Sequence, residues 1–284
     1  MIHIRDLQKN YGDFRLAVSL DIPEGRVSGI VGRNGSGKST LIKSILGLVR
    51  PDAGTVRVFG KDPFAFTAED KARVGVAFSD SGFSAYLTVS DVIAILKNTY
   101  PGFDAAAFRS ACEKGGLPFD KRISAFSTGM KAKLRVLIAC SHHAKLLILD
   151  EPTAGLDVIA RREVLDLLRA CLAEDESRSM LISSHISGDL EGVCDDIYML
   201  SDGKIVLHEE TDRILGEYAV LKLSKARFDE IDKTYIRRVK EEPFGVSCLT
   251  DEKRFYAENY PDIVIESGGI DEMIVMMTEG GEQA

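Results

Sequence analysis

The chain has 284 residues, 45% apolar and 28% charged, with a net charge of −8, a balance that suits a folded globular protein and excludes a fibrous or disordered one. At roughly 150 residues per domain, this length fits one large domain or a large one with a small companion. No stretch free of Asp, Glu, Lys and Arg exceeds ten residues, well short of the about 20 apolar residues that a membrane-spanning helix requires.

The negative charge is uneven. Residues 211–284 carry ten basic and sixteen acidic side chains, and the rest of the chain is close to neutral. Neither part has the basic excess expected of a nucleic-acid binder or of a polybasic membrane anchor. Cys112, Cys140, Cys171, Cys194 and Cys248 include no CxxC pair, so free, mostly buried thiols in a reducing compartment are expected. Met1 to Asp6 lack a basic-then-apolar pattern, and no secretory leader is expected. The expected location is cytoplasmic.

In chain order, short apolar runs predict strands at 2–7, 16–22, 27–31, 55–59, 74–78, 146–149, 180–183, 197–200 and 204–207. Helical periodicity predicts helices at 38–47, 90–97, 105–114, 129–142, 158–172 and 187–193. Such alternation argues for a mainly parallel sheet covered by helices. Asp202-Gly203 between two β-rich runs predicts a tight hairpin. After about residue 212 the pattern shifts to short β-like runs at 218–223 and 263–265 and a last helix at 270–277.

Gly32-Arg33-Asn34-Gly35-Ser36-Gly37-Lys38-Ser39 fits GxxxxGK[ST] between the 27–31 strand and the helix that begins at Lys38. Glycines let successive backbone N–H groups point at phosphate oxygens, and the helix N-terminus adds its positive end. Lys38 is expected to reach the outer phosphates and the Ser39 hydroxyl to ligate Mg²⁺, with Thr40 next in the nucleotide-binding set. The 146–149 strand runs into Asp150-Glu151-Pro152. Asp150 suits Mg²⁺ held through water, and Glu151 suits polarising an attacking water. His3, His142, His143 and His208 share no ligand spacing, so no zinc site is expected.

Phe126-Ser127-Thr128-Gly129-Met130 follows, and with it the chain resembles the ATP-binding cassette (ABC) family, the nucleotide-binding subunits of ABC transporters. The family signature is usually LSGGQ; here the Ser and the second Gly are kept. Ala154-Gly155-Leu156-Asp157 is similar to the family's D-loop, and Ser184-His185 to its switch histidine. Tyr11 lies 21 residues before Gly32, where the family places an aromatic on adenine. Lys38, Ser127, Asp150 and His185 follow one another at intervals of 89, 23 and 35.

The resemblance covers residues 1 to about 210 and implies an α/β P-loop nucleotide hydrolase core. That core has a mainly parallel sheet with flanking helices, an antiparallel N-terminal β part and a helical signature subdomain at about 80–142. The expected domains are 1–212 and a small α+β C-terminal appendage, 213–284. By resemblance, Ser127, Thr128, Gly129 and Met130 contact ATP held by a second ATP-binding subunit, as homodimer or heterodimer, and His185 contacts the γ-phosphate. The implied function is ATP hydrolysis that powers transport through a separately encoded membrane subunit, peripheral at the inner face of the cell membrane. The signature and the Ser-Ser-His run resemble the ABC-2-type export cassettes. A soluble ABC ATPase without transport, or a regulatory ATP-binding module, is the alternative.

One departure stands out. Where the family places a Gln, this chain has Ser79, followed by Asp80. Either one is a candidate oxygen ligand for Mg²⁺.

Overall fold

The apolar runs assemble into three sheets in the computed structural model, which describes residues 1–79, 83–243, 245–279 and 281. Strands β1 (Ile2–Tyr11), β2 (Phe14–Ile22) and β4 (Ala53–Val58) pair antiparallel in the order β2-β1-β4. The central sheet holds β3 (Val27–Val31), β5 (Val74–Phe78), β6 (Leu146–Asp150), β7 (Ser179–Ser184), β8 (Asp196–Ser201) and β9 (Lys204–Glu210). Their order is β5-β6-β7-β3-β8-β9, parallel except for β9.

Both faces of the parallel strands are apolar, as a sheet covered on each side requires. Leu147, Leu149, Met180, Ile182, Ile197 and Met199 join one core cluster. Their neighbours Leu146, Ile148, Leu181, Tyr198 and Leu200 join another, with the N-terminal sheet and helix α1 (Lys38–Ile45). Alternation along each strand divides the two cores.

The remaining helices of this part are α2 (Ala68–Ala72), α3 (Val89–Thr99), α4 (Ala105–Lys114), α5 (Thr128–Cys140), α6 (Val158–Ala173) and α7 (Thr211–Glu217). Local chemistry starts them: Thr88 and Asp91 form a capping box, and Asp104, Ser127 and Asp157 accept from the first-turn amides. Helix α5 faces two ways. Ala132, Val136 and Ala139 pack into the central core, while Leu134 and Leu137 pack with Val92, Leu96 and Phe108 of the helical part.

The helix expected at 187–193 is instead a single 3-10 turn, Ser187–Asp189. Gly188 and Gly192 weaken a helix there by about 1 kcal/mol each. Asp189 is buried and accepts from Thr153 and Arg161, which holds the segment in its turn.

The C-terminal part has more structure than its pattern suggests. Strands β10 (Ala219–Leu223), β11 (Ile236–Glu242), β12 (Gly245–Thr250) and β13 (Val264–Ser267) form an antiparallel sheet in the order β11-β12-β10-β13. Helices α8 (Lys225–Glu230) and α9 (Lys253–Asn259) flank it, around buried Tyr256, Leu221 and Cys248. The last helix, α10 (Ile270–Glu279), turns back to the central core. Its Ile270, Met273 and Met276 join the cluster of Leu190, Cys194 and Ile214, and Glu279 lies 3.8 Å from Arg33.

Candidate functional site

Adjacent parallel strands bring the loops at their C-terminal ends together. Register aligns Phe78 with Asp150, Asp150 with Ser183, and Val31 with Ser184. Residues far apart in the chain therefore surround one cleft of about 470 Å³. Asn34 to Thr40, Ser79, Glu151, Ala154, His185 and Phe14 line it.

The glycine-rich loop is shaped by close contacts. Gly37 has φ +109°, a conformation that favours glycine. A Cβ on Gly32 would stand 2.2 Å from the Leu200 carbonyl oxygen, so no other residue fits. The Asp202-Gly203 hairpin, with φ +46° and +73°, has the positive pair of a type I′ turn. Gly203 N–H donates to the Ser36 carbonyl at 3.1 Å, bracing the loop from behind. Ser36 Oγ is buried without a hydrogen-bond partner among the described residues. Such an orphan is what a loop built around an added phosphate acceptor would show.

Lys38 is 5% exposed. Its Nζ donates to the Gly32 carbonyl at 2.7 Å and stands 3.3 Å from Glu151 Oε1. The other Glu151 oxygen accepts from His185 N–H at 3.2 Å and meets His185 Nδ1 at 2.5 Å. Lys38, Glu151 and His185 thus form a continuous polar chain across the cleft.

Glu151 adopts φ +51°, which costs a side-chain-bearing residue on the order of 1–3 kcal/mol. Two bonds from its N–H hold it there, to the Ser183 carbonyl at 3.2 Å and to Ser183 Oγ at 3.0 Å. The same Ser183 hydroxyl donates to Asp150 Oδ1 at 2.6 Å. One buried serine therefore ties the Asp150 carboxylate to the Glu151 backbone. Sequence reasoning missed it. Its only signal was a polar Ser183-Ser184 pair ending an apolar strand.

Ser39, Ser79 and Glu151 line the same cleft, and Asp150 lies beside it on β6. This all-oxygen donor set fits a hard cation such as Mg²⁺. Asp80 lies outside the described residues.

Tyr11 lies at the β1–β2 turn, 49% exposed, with Lys9 Nζ 5.6 Å from its ring centroid. Its cross-strand partner Phe14 lines the cleft; Tyr11 does not. Phe14 carried no motif and went unnoticed in the sequence.

Ser127, Thr128, Gly129 and Met130 are not brought to this cleft. Ser127 caps α5, accepting from Met130 N–H at 3.2 Å, and Ser127 and Thr128 are exposed. Asp157 caps α6 through Ile159 and Ala160 N–H at 3.0 and 2.9 Å. The following Val158 and Ile159 are 82% and 74% exposed.

Residues 16–154 match the family model described as ABC transporter. The bacitracin transport ATP-binding protein BcrA of Bacillus licheniformis is 34% identical over 210 residues, covering 72% of this chain and 68% of that protein. The lantibiotic transport ATP-binding protein SrtF of Streptococcus pyogenes is 33% identical over 216 residues, covering 75% and 92%. A solved ATP-binding subunit of an ABC transporter superposes with a TM-score of 0.66 at 25% identity, covering 75% of this chain and 91% of that one.

Proposed function

Because this chain belongs to the ABC transporter family, as an ATP-binding, ATP-hydrolysing subunit, we propose that its cleft hydrolyses ATP through Glu151, His185 and Lys38. The polar chain linking these three residues carries the reading. In it, the loop from Gly32 to Thr40 wraps the phosphates, and Lys38 neutralises charge on the outer ones. Glu151 takes or orients the proton of the attacking water. His185 fixes the Glu151 carboxylate and faces the γ-phosphate. Ser183 is a positioning residue, since it holds the Asp150 carboxylate and the Glu151 backbone and does not line the cleft.

Ser39, Asp150 and Ser79 would hold Mg²⁺, which would supply charge stabilisation on the phosphate oxygens. Replacing Ser79 with Ala is expected to raise the Mg²⁺ needed for half-maximal ATPase activity by roughly threefold, one oxygen contact among several. A larger rise in Asp80→Ala than in Ser79→Ala would move the ligand to Asp80.

Adenine rests on Tyr11 in this reading, beside the Phe14 wall. Tyr11→Ala should weaken ATP binding by about 1 kcal/mol, or roughly fivefold, through lost stacking. Preference for ATP over GTP should not change, because a ring face does not read base edges. Unchanged binding would leave Phe14 as the adenine contact.

The exposed signature, away from its own cleft, supports a head-to-tail dimer in which Ser127–Met130 meet the partner's ATP. Exposed Val158 and Ile159 add apolar surface beside Asp157. No helix among the described residues is long and apolar enough to cross a membrane, and the spanning part is a separate subunit. Tyr86, 78% exposed, offers that subunit a contact near Phe83. The names of the bacitracin and lantibiotic relatives support a transport cassette, which in this reading serves export from the inner membrane face. Co-purification with an integral membrane protein, dependent on detergent, tests this placement. A chain that hydrolyses ATP yet never fractionates with membranes would overturn it.

A further inference from the structure

Away from the nucleotide cleft, a second cavity of about 450 Å³ lies between α4, α5 and α6. Its rim carries exposed Asp104, Lys114, His143 and Glu174, and its wall includes both Cys140 and Cys171. Cys140 ends α5 and Cys171 lies in the last turn of α6, and the two thiols share one wall of the cavity, where each influences the other's ionisation.

Behind them lies Arg178, 3% exposed. Its guanidinium donates to the Ala144 carbonyl at 3.1 Å, the Cys171 carbonyl at 2.5 Å and Cys171 Sγ at 2.8 Å. These partners are carbonyls and sulfur; no carboxylate joins them among the described residues. A buried cation without an anion is costly, and arginine does not give up its proton. Cys171 is the ionisable group that Arg178 touches, so a negative charge on its sulfur is favoured.

The ionisation tendencies agree with this geometry. Contact with Cys140, and then Arg178, draws the Cys171 thiol below its ordinary range, against burial and the nearby Glu174 carboxylate. Contact with Cys171 and burial push Cys140 well up. Elsewhere burial pushes Cys112 and Cys248 up to about 12, and burial with the Asp196 and Asp195 carboxylates pushes Cys194 well up.

We propose that Cys171 and Cys140 form a redox-active dithiol site for small-molecule disulfides, entered through this cavity, with Cys171 as nucleophile and Cys140 as resolving thiol. The Cys171 thiolate attacks one sulfur of RSSR, and the other leaves as RS⁻ and takes a proton from water. Cys140 then loses its proton and attacks the Cys171 side of the mixed disulfide, expelling the second RS⁻. Two protein thiols are oxidised to one disulfide, and RSSR is reduced to two RSH. The new bond ties the end of α5 to the end of α6, the two helices that Ser127 and Asp157 begin. The site does not depend on the nucleotide reading.

The test treats the reduced full-length chain with oxidised glutathione, quenches with acid and maps the peptides by mass. Wild type should lose two hydrogens and yield a linked Cys140–Cys171 peptide that dithiothreitol separates. Cys140→Ser should stop at a glutathione adduct on Cys171, and Cys171→Ser should stay unmodified at Cys140. Brief iodoacetamide exposure of unmutated protein should label Cys171 at least roughly tenfold faster than Cys112, Cys194 or Cys248. That measurement decides the matter even if a variant misfolds. Equal labelling of all the thiols, or an adduct on Cys140 in Cys171→Ser, would overturn the proposal.

Discussion

ATP turnover by Glu151→Gln is expected to fall by about 10²–10⁴ while ATP remains bound. The substitution keeps the size of the side chain and the Glu151 backbone, which Ser183 holds in its φ +51° turn. It removes the carboxylate charge that faces both Lys38 and His185. The phosphate loop is untouched, so affinity should persist. With hydrolysis blocked, the head-to-tail dimer should accumulate with ATP on gel filtration and fall apart when ATP is withdrawn. Turnover within tenfold of wild type would remove Glu151 from the proton-handling role. Ser183→Ala offers a graded comparison. It loses one hydroxyl that donates to Asp150 and accepts from Glu151 N–H, so turnover should drop by less than in Glu151→Gln.

Replacing Lys38 with Ala should cut kcat/KM for ATP by roughly 10²–10³, the usual weight of one preorganised charge at developing negative oxygens. Lys38 Nζ is buried against the Gly32 carbonyl and Glu151 Oε1. Removing it takes away the buried cation of the loop and leaves the Glu151 carboxylate facing His185 without its lysine partner. Lys38→Arg should not rescue activity, because a planar fork is larger than an ammonium and the site around it is closed. Thermal melts by circular dichroism would separate lost chemistry from lost folding. Wild-type nucleotide affinity in a folded Lys38→Ala protein would mean that the loop amides alone hold the phosphates.

The C-terminal part illustrates how far local pattern reaches. Strand β11, with the sequence Ile236-Arg237-Arg238-Val239-Lys240-Glu241-Glu242, lies at a sheet edge, pairing with β12 on one side and meeting Gly281 through a single bridge at Val239. Only Ile236 of its seven residues is buried and five of them are charged, so its apolar signal is thin. Helix α10 read as a helix from its own apolar spacing. That its Met273 and Met276 belong to the core of the nucleotide-binding part was invisible, because spacing shows a face and not what covers it.

Short-range chemistry determined a good deal by itself. The loop from Gly32 to Ser39, the acidic end of the 146–149 strand and the Asp202-Gly203 turn each rest on contiguous residues, and each took the predicted form. Tertiary structure decided what depends on strand order and register. Ser183 joins Asp150 and Glu151 because β7 lies beside β6 with Asp150 opposite Ser183, a contact across 33 residues of chain. Phe14 lines the cleft although Tyr11 carried the motif resemblance, since the β1–β2 turn presents the partner residue. Cys140 and Cys171 meet with Arg178 only through the packing of α5 on α6. Local sequence encodes conformation one turn or strand at a time, whereas such sites are made by side chains that only the closed core brings within bonding distance.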